Sequence, residues 1–285
     1  GEHVTDVTNA SRTLLMDLKT LDWLENVIDL LDIPYNSLPA IKPSLYLFGT
    51  NEEILKNVPI TAVLGDQQAS LFGQNCVSSG DVKNTYGTGC FALTNTGSEI
   101  VHSNNGLLST VAYQIDGQTP QYALEGSVSI AGAAVQWLRD NLNIIKNSSE
   151  VESLAMGVKD NGDVYFVPAF SGLFSPHWDE TARGVLVGLS RFSNKSHIAR
   201  AVLESVAYQS YELLESMEKD IGTTFESVNV DGGMVENNLL MQFQSDIFNK
   251  KVISQEINEI TALGAGAASY LFVNKLPLKT MSSLI

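Results

Sequence analysis

The chain has 285 residues, of which 44% are hydrophobic and 17% are charged, and its formal net charge is -15. This hydrophobic content is enough to bury a core in one large domain or two moderate ones, which excludes a disordered chain. The negative charge argues against a surface that attracts nucleic acid or an anionic membrane. Any bound phosphate would therefore be held by backbone amides, hydroxyls and a metal ion.

The cysteines and the apolar runs indicate the cell compartment. Cys76 and Cys90 stand outside any CxxC or histidine-rich cluster, so neither a disulfide framework nor a structural zinc site is expected. No apolar run approaches the roughly 20 residues that span a bilayer. We expect a cytoplasmic protein with no transmembrane segment. Because the sequence begins with Gly1 and ends with Leu284-Ile285, we also expect a piece of a longer polypeptide.

The first part of the chain predicts two short helices and then a connection. Apolar residues recur every three or four positions over residues 10–31, with a break at 20–22. Half of the eight prolines fall within residues 34–59, which favours a loop or linker there. We place a domain junction near residues 60–72.

The rest of the chain predicts strands followed by alternating helices and strands. Expected strands cover residues 60–64, 82–93 as a hairpin around Gly87 and Gly89, 110–113, 121–124, 164–166 and 228–230, and a loop or short strand covers 184–189. A buried helix is expected to start over residues 71–76, and further helices are expected over residues 128–142, 196–219, 237–248 and 261–273. This order indicates a mixed α/β domain with a sheet between helical layers.

A carboxylate follows the predicted strand at 60–64. Asp66, which precedes Gln67 and Gln68, would lie at the end of that strand, where ligand crevices of α/β proteins form. There it could accept the proton of a substrate hydroxyl as that oxygen attacks a phosphate. The alternative is a Gly-Asp turn that only ends the strand.

Two glycine-containing turns offer room for a phosphate or a nucleotide. Gly87-Thr88-Gly89 can bring backbone amides and the Thr88 hydroxyl to an anion, although a plain hairpin turn is as common and no Walker A lysine follows. Asp231-Gly232-Gly233 precedes a predicted helix that carries Asn237. This turn can admit a ring or phosphate, with a tight turn and an asparagine helix cap as the alternative. The acidic residue of a dinucleotide fold is missing, which disfavours a dinucleotide.

Taken together, these sequence motifs resemble those of the FGGY carbohydrate kinase family. The likeness runs through residues 3–13, 65–69, 84–91, 123–126, 167–170 and 241–246. It includes the signature Gly184-x-Leu186-x-Gly188-Leu189, which is followed after seven residues by His197-Ile198-x-x-Ala201-Val202-Leu203-Glu204. A match of this length is highly specific.

The resemblance implies a fold and an activity. The fold would be the α/β actin-like ATPase (ribonuclease H-like) fold, a mixed sheet flanked by helices. Residues 1–71 would be the end of the family's N-terminal domain, and residues 72–285 a nearly complete C-terminal, nucleotide-binding domain. The activity would be ATP-dependent phosphorylation of glycerol to sn-glycerol 3-phosphate, the first step of glycerol utilisation. Partners would be glycerol, ATP and Mg2+, with a homodimer or homotetramer for the full-length protein.

The resemblance also implies roles for individual residues. Asp66 would be the general base for the glycerol 3-hydroxyl and would contact the substrate. Gln67 would contact the polyol, and Phe91 would form the wall against which its carbon chain packs. The residues expected to contact the nucleotide are Thr88, Gly132, Gln136, Gly233 and Asn237. No residue of this chain is expected to form a metal site of its own.

The departures from the family pattern leave alternatives open. The family's first phosphate loop, Asp-x-Gly-Thr, is missing, as is the region whose Arg, Trp and Tyr grip glycerol. We therefore expect the chain alone to lack full glycerol binding and activity. The alternatives are a family kinase for another polyol or sugar, and a catalytically silent nucleotide-binding module.

Overall fold

The computed structural model describes residues 2–257 and 259–283. Its strands are β1 Val4–Asp6, β2 Ala40–Lys42, β3 Leu45–Asn51, β4 Val58–Ala62, β5 Val82–Tyr86, β6 Cys90–Gly97, β7 Leu108–Tyr113, β8 Gln121–Val128, β9 Tyr165–Val167, β10 Val185–Val187, β11 Ser227–Asp231 and β12 Lys251–Ser254. Its α-helices are α1 Val7–Ala10, α2 Glu25–Leu30, α3 Asp66–Gly73, α4 Gly132–Asp140, α5 Glu150–Ala155, α6 Lys195–Ile221, α7 Asn238–Phe248 and α8 Ile260–Val273.

Six strands form the central sheet, in the order β12-β11-β5-β6-β8-β7. β11 runs parallel to both β5 and β12, whereas β5, β6, β8 and β7 pair antiparallel. The sheet is therefore mixed, as predicted. Because side chains alternate along a strand, Lys83 and Thr85 of β5 share one face of the sheet, and Val82 and Tyr86 share the other.

Helices cover both faces of this sheet. On one face, Val82 and Tyr86 pack in a buried cluster with Val206 and Leu213 of α6 and with residues of α7. On the other face, Leu71 of α3 packs with residues of β6 and α8. The predicted sheet between helical layers is confirmed, and the face that carries Lys83 is the one that α3 covers.

Residues 2–64 form smaller units beside the sheet. β1 pairs parallel with β2, and β3 pairs antiparallel with β4. The Asp6 carboxylate caps α1 by accepting the amides of Thr8 at 2.9 Å and Asn9 at 3.0 Å. A small apolar cluster that includes Trp23 and Ile28 joins this region to β7 and β8.

The helix predicted over residues 10–20 is wrong. α1 ends at Ala10, and Leu14 and Leu21 have left-handed φ values of 63° and 56°, which a right-handed helix does not allow. Only α2, Glu25–Leu30, forms within the predicted range. The apolar residues are spaced as on a helix, but they reach the small cluster through turns.

The loop predicted over residues 34–59 is also wrong, because β2 and β3 lie inside it and β4 begins there. Pro59 pairs with Thr50 in the two-stranded β3–β4 unit. A proline is tolerated in an edge strand, because no further strand needs its missing amide hydrogen as a donor.

Other boundaries differ from their predictions. α3 begins at Asp66 instead of residue 71, and α4 begins at Gly132 because residues up to Val128 belong to β8. The sequence interpretation missed α5 and β12 altogether. The chain end at Leu284-Ile285 lies outside the described residues. Within the described part of the chain, no helix combines the length and apolarity needed to cross a membrane.

Candidate active site

The turn between β5 and β6 is held against the start of α4. The Gly87 carbonyl accepts the Gly132 amide at 3.0 Å, and the Thr88 carbonyl accepts the Ala133 amide at 3.1 Å. A Cβ atom at Gly132 would lie 2.6 Å from the Gly87 oxygen, so this approach requires glycine. The Gly87 amide donates to the Gly89 carbonyl at 2.8 Å. That amide is therefore used inside the turn, and the exposed Thr88 side chain is what the turn offers to a ligand.

The turn after β11 crosses the end of β5. Gly232 has φ 93°, and a Cβ atom there would lie 2.4 Å from the Tyr86 carbonyl oxygen. Gly233 begins a 3-10 turn that ends before α7. Asn237 caps α7, with its Oδ1 accepting the Leu240 amide at 2.9 Å. Asn237 is therefore a helix cap, which is the alternative that the sequence offered. The cap uses the side-chain oxygen, and the side-chain amide nitrogen can donate to another partner.

A cavity of about 440 Å³ lies between these two turns, α4 and α5. Its lining consists of Tyr86, Gly87, Thr88, Gly132, Val135, Gln136, Ser148, Ser149, Val151, Glu152, Gly233, Met234, Glu236 and Asn237. All five residues predicted to contact a nucleotide are among them. The structure brings together side chains from four separate segments of the sequence.

The α5 side of this cavity was missed from the sequence. Glu152 lines the cavity and also accepts the Leu239 amide at 3.0 Å, so it ties α5 to α7. A signal was present, since Ser148-Ser149-Glu150 followed by Val151, Leu154 and Ala155 is typical of a helix start.

The cavity has no strong side-chain attraction for an anion. Among the described residues that line it, two are carboxylates, Glu152 and Glu236, and none is lysine or arginine. A bound phosphate would need hydroxyls, backbone amides or an accompanying cation. Within residues 2–257 and 259–283, no group of three or more His, Cys, Asp or Glu side chains could hold a metal ion.

Asp66 lies at the first position of α3, where its charge is favourable to the helix dipole. Its Oδ1 accepts the Gln67 backbone amide at 2.8 Å, and the residue is exposed. The preceding Gly65 donates its amide to the Thr8 hydroxyl at 2.8 Å, which ties this end of α3 to α1. Asp66 is thus held in place and open to a substrate, at a helix start instead of directly at a strand end.

A buried lysine connects the two other residues expected to contact the acceptor. The Nζ of Lys83 donates to the Gln67 Oε1, to the Thr85 hydroxyl at 2.8 Å and to the Phe91 carbonyl at 3.2 Å. Lys83 thereby holds Gln67 of α3 beside Phe91 of β6. The predicted acceptor residues meet on the face of the sheet that α3 covers.

Two carboxylates accompany Lys83 on this face. Asp231 is 7% exposed and its Oδ2 accepts the Ser70 hydroxyl of α3 at 2.6 Å. Glu125 of β8 pairs with Arg12 at 2.6 Å. Burial raises the pKa of Glu125, and Arg12 opposes that rise. Burial also lowers the pKa of Lys83 to about 8, and the charges of Asp231 and Glu125 oppose that fall.

Sequence reasoning missed Lys83 and Glu125 as site residues. The only signal was alternation, which places Lys83 on the same face of β5 as Thr85. A charged residue in a central strand, flanked by residues that pack inward, indicates a buried charge that needs partners.

Comparison with known proteins identifies the family. A sequence model of the C-terminal domain of the FGGY family of carbohydrate kinases matches residues 82–270, and a model of its N-terminal domain matches residues 1–73. The chain belongs to the FGGY family. Glycerol kinase of Brucella anthropi is 59% identical over 274 residues, which are 96% of this chain and 55% of that protein. Glycerol kinase of Methylobacterium radiotolerans is 57% identical over 273 residues, 96% of this chain and 54% of that protein.

Solved structures share the fold. A crystal structure of Plasmodium falciparum glycerol kinase with ADP has a TM-score of 0.92 and 41% identity, and the match covers 100% of this chain and 58% of that one. A ligand-bound xylulose kinase from Lactobacillus acidophilus has a TM-score of 0.87 at 23% identity, which shows the fold alone, over 100% of this chain and 59% of that one. The predicted actin-like ATPase fold is confirmed. The FGGY chain spans about half the length of the curated relatives it matches.

Proposed function

We propose that this chain forms the nucleotide cavity and the acceptor face of a kinase that transfers the γ-phosphoryl group of ATP to glycerol. The observation that carries the proposal is that Thr88, Gly132, Gln136, Gly233 and Asn237 line one cavity. The relatives at 57–59% identity are named glycerol kinases, and a structural neighbour was solved with ADP. The products would be sn-glycerol 3-phosphate and ADP, as the first step of glycerol utilisation.

In this proposal Asp66 is the general base. Its exposed carboxylate accepts the proton of the glycerol 3-hydroxyl as that oxygen forms a bond to the γ-phosphorus. The bond from the γ-phosphorus to the β–γ bridging oxygen breaks, and its electron pair leaves with ADP. Gln67 donates a hydrogen bond to the polyol, and Phe91, which is 36% exposed, packs against its carbon chain. Thr88 contributes a hydroxyl to the phosphates.

The proposal includes several further parts that come from family membership. Mg2+ would accompany ATP and neutralise phosphate charge. The phosphates would supply most of the ligands of the ion, because the described residues offer no cluster of three metal-binding side chains. We also propose a cytoplasmic location, a homodimer or homotetramer, and a division into residues 1–71 and 72–285. The boundary at residue 71 falls inside α3, Asp66–Gly73.

The test is an ADP-release assay on the complete protein, with MgATP, glycerol and a panel of polyols and sugars. Asp66→Asn removes the proton acceptor and keeps the size of the side chain. We expect kcat to fall about 100- to 10,000-fold while the KM for ATP changes little. Asp116→Asn, an exposed aspartate in a β-hairpin connection, serves as the matched control and should keep wild-type kcat.

Each alternative has its own outcome in this assay. Wild-type turnover by Asp66→Asn would overturn the general-base role. A preferred substrate other than glycerol would favour a family kinase for another polyol or sugar. ADP binding by calorimetry without phosphorylation of any panel member would favour a silent nucleotide-binding module.

A further inference from the structure

Lys83 occupies an unusual position for a lysine. Its side chain is fully buried in β5, and its ammonium faces the Gln67 Oε1, the Thr85 hydroxyl and the Phe91 carbonyl. An ammonium has three N–H donors and no acceptor, so these three oxygens use all of them. Removing such a group from water costs free energy, and this costly group lies behind the residues that face the acceptor.

We propose that Lys83 is a positioning residue that fixes the Gln67 side-chain amide and so sets which acceptor oxygens the site selects. The inference rests on the proposed function. A glutamine amide can present either its oxygen or its NH2 group to a ligand. Because an ammonium only donates, the Gln67 atom that faces Lys83 is the oxygen. The NH2 group is then left to donate to a hydroxyl oxygen of the acceptor.

The same ammonium also fixes the position of Phe91. Thr85 and Phe91 are paired across β5 and β6, and Lys83 bonds to the hydroxyl of one and the carbonyl of the other. The donor of Gln67 and the aromatic wall are therefore set by one group. Loss of the ammonium would loosen both contacts with the acceptor and leave the nucleotide cavity unchanged.

The contact with Gln67 depends on pH. The titratable and charged groups that face Lys83 are Asp231, Glu125, Cys76 and Asp66, with Arg12 paired to Glu125. Burial lowers the pKa of Lys83 to about 8, against the ordinary value of 10.5. Above that pH the amine is neutral and has a lone pair, so it can accept the NH2 group of Gln67. The orientation of the amide is then no longer imposed.

The kinetic test uses the complete kinase with glycerol and MgATP. Lys83→Met keeps the length of the stem and removes the ammonium. We expect the KM for glycerol to rise about 10-fold while the KM for ATP stays within about twofold, since one hydrogen bond to the acceptor is lost. In a Gln67→Ala background, Lys83→Met should cost much less than 10-fold, because only the contact of Phe91 with the acceptor remains to be loosened. Leu93→Val, the buried cross-strand neighbour of Lys83, is the control for packing damage and should not separate the two KM values.

Independent losses in the double variant, or equal changes in both KM values, would overturn the inference. A second measurement does not require turnover or a variant that folds. In the 13C-labelled complete kinase, the side-chain carbonyl carbon (Cδ) resonance of Gln67 should shift with a midpoint near pH 8, as the pKa of Lys83 implies. A Gln67 resonance that stays fixed while the Lys83 Nζ titrates would refute the contact. If the wild-type kinase does not phosphorylate glycerol, the proposed function is wrong, and this titration still tests the contact between Lys83 and Gln67.

Discussion

The proposed nucleotide half and the proposed acceptor half of the candidate site are built differently. Around the cavity, Gly132 and Gly232 let one backbone segment approach another so closely that a Cβ atom would collide. On the acceptor half, the charges of Lys83, Asp231 and Glu125 are buried under α3 and within the sheet. One half depends on the absence of side-chain volume, and the other depends on the balance of buried charge.

This difference indicates how each half fails. Added volume at a glycine should damage nucleotide binding and leave the charges intact. A lost charge partner should destabilise the acceptor half, because a buried charge without its partner is costly.

Among the variants that test this contrast, Gly132→Ala should have the largest effect. Its Cβ would lie 2.6 Å from the Gly87 carbonyl oxygen, so the turn that carries Thr88 must move away from α4. We expect a loss of about 1–3 kcal/mol, equivalent to a roughly 10- to 100-fold weaker affinity for ADP by calorimetry. Gly266→Ala in α8 is the control, because nothing lies within 4 Å of its Cβ position. That variant should bind ADP normally and unfold at slightly higher urea. Equal ADP affinity for the two variants would contradict the volume argument.

The sequence predicted the parts of the site that depend on neighbouring residues. The β5–β6 hairpin, its glycine turn and the turn after β11 each have a local signal, and the structure has them where they were expected. The family resemblance added the expectation that Gly132 and Gln136 contact a nucleotide, which no local pattern indicates, and both residues line the cavity.

Contacts between distant residues could not be predicted in this way. The bond from Ser70 to Asp231 joins residues 161 positions apart, and nothing near either residue specifies the other. The same holds for Arg12 and Glu125. Sequence patterns also gave a wrong secondary structure where tertiary packing determines the backbone conformation. The apolar spacing at residues 10–20 predicts a helix, yet left-handed residues such as Leu14 direct this stretch into the small cluster.

Arg12→Met should have the second largest effect, on stability. The arginine is 2.6 Å from Glu125, whose side chain is 5% exposed, and its loss leaves a buried carboxylate without that partner. Because Arg12 itself is 43% exposed and therefore screened by solvent, we expect a loss of about 1–2 kcal/mol at pH 7.5 in urea unfolding. ADP affinity should not change, in contrast to Gly132→Ala.

The pH dependence of this loss follows from the pKa of Glu125. Burial raises that pKa above the ordinary 4.5, and removal of Arg12 raises it further. Between the ordinary and the raised value, the folded state holds a proton that the unfolded state has released, so stability falls as pH rises. The deficit of Arg12→Met should therefore be smaller at about pH 5 than at pH 7.5. Adding Glu125→Gln should recover most of it, and a deficit that is independent of pH would show that packing, not charge, is responsible.

Asn237→Ser should have the smallest effect and separates two roles of one residue. Serine keeps an oxygen for the Leu240 amide, so the cap of α7 and the stability should be retained to within about 0.5 kcal/mol. The amide NH2 group is lost, and we expect ADP to bind about 3- to 10-fold more weakly. Asn237→Ala removes both and should also lose about 1 kcal/mol in urea unfolding. If the serine variant binds ADP as the wild type does, Asn237 acts in the cavity only as a helix cap, and its part in nucleotide recognition must be given up.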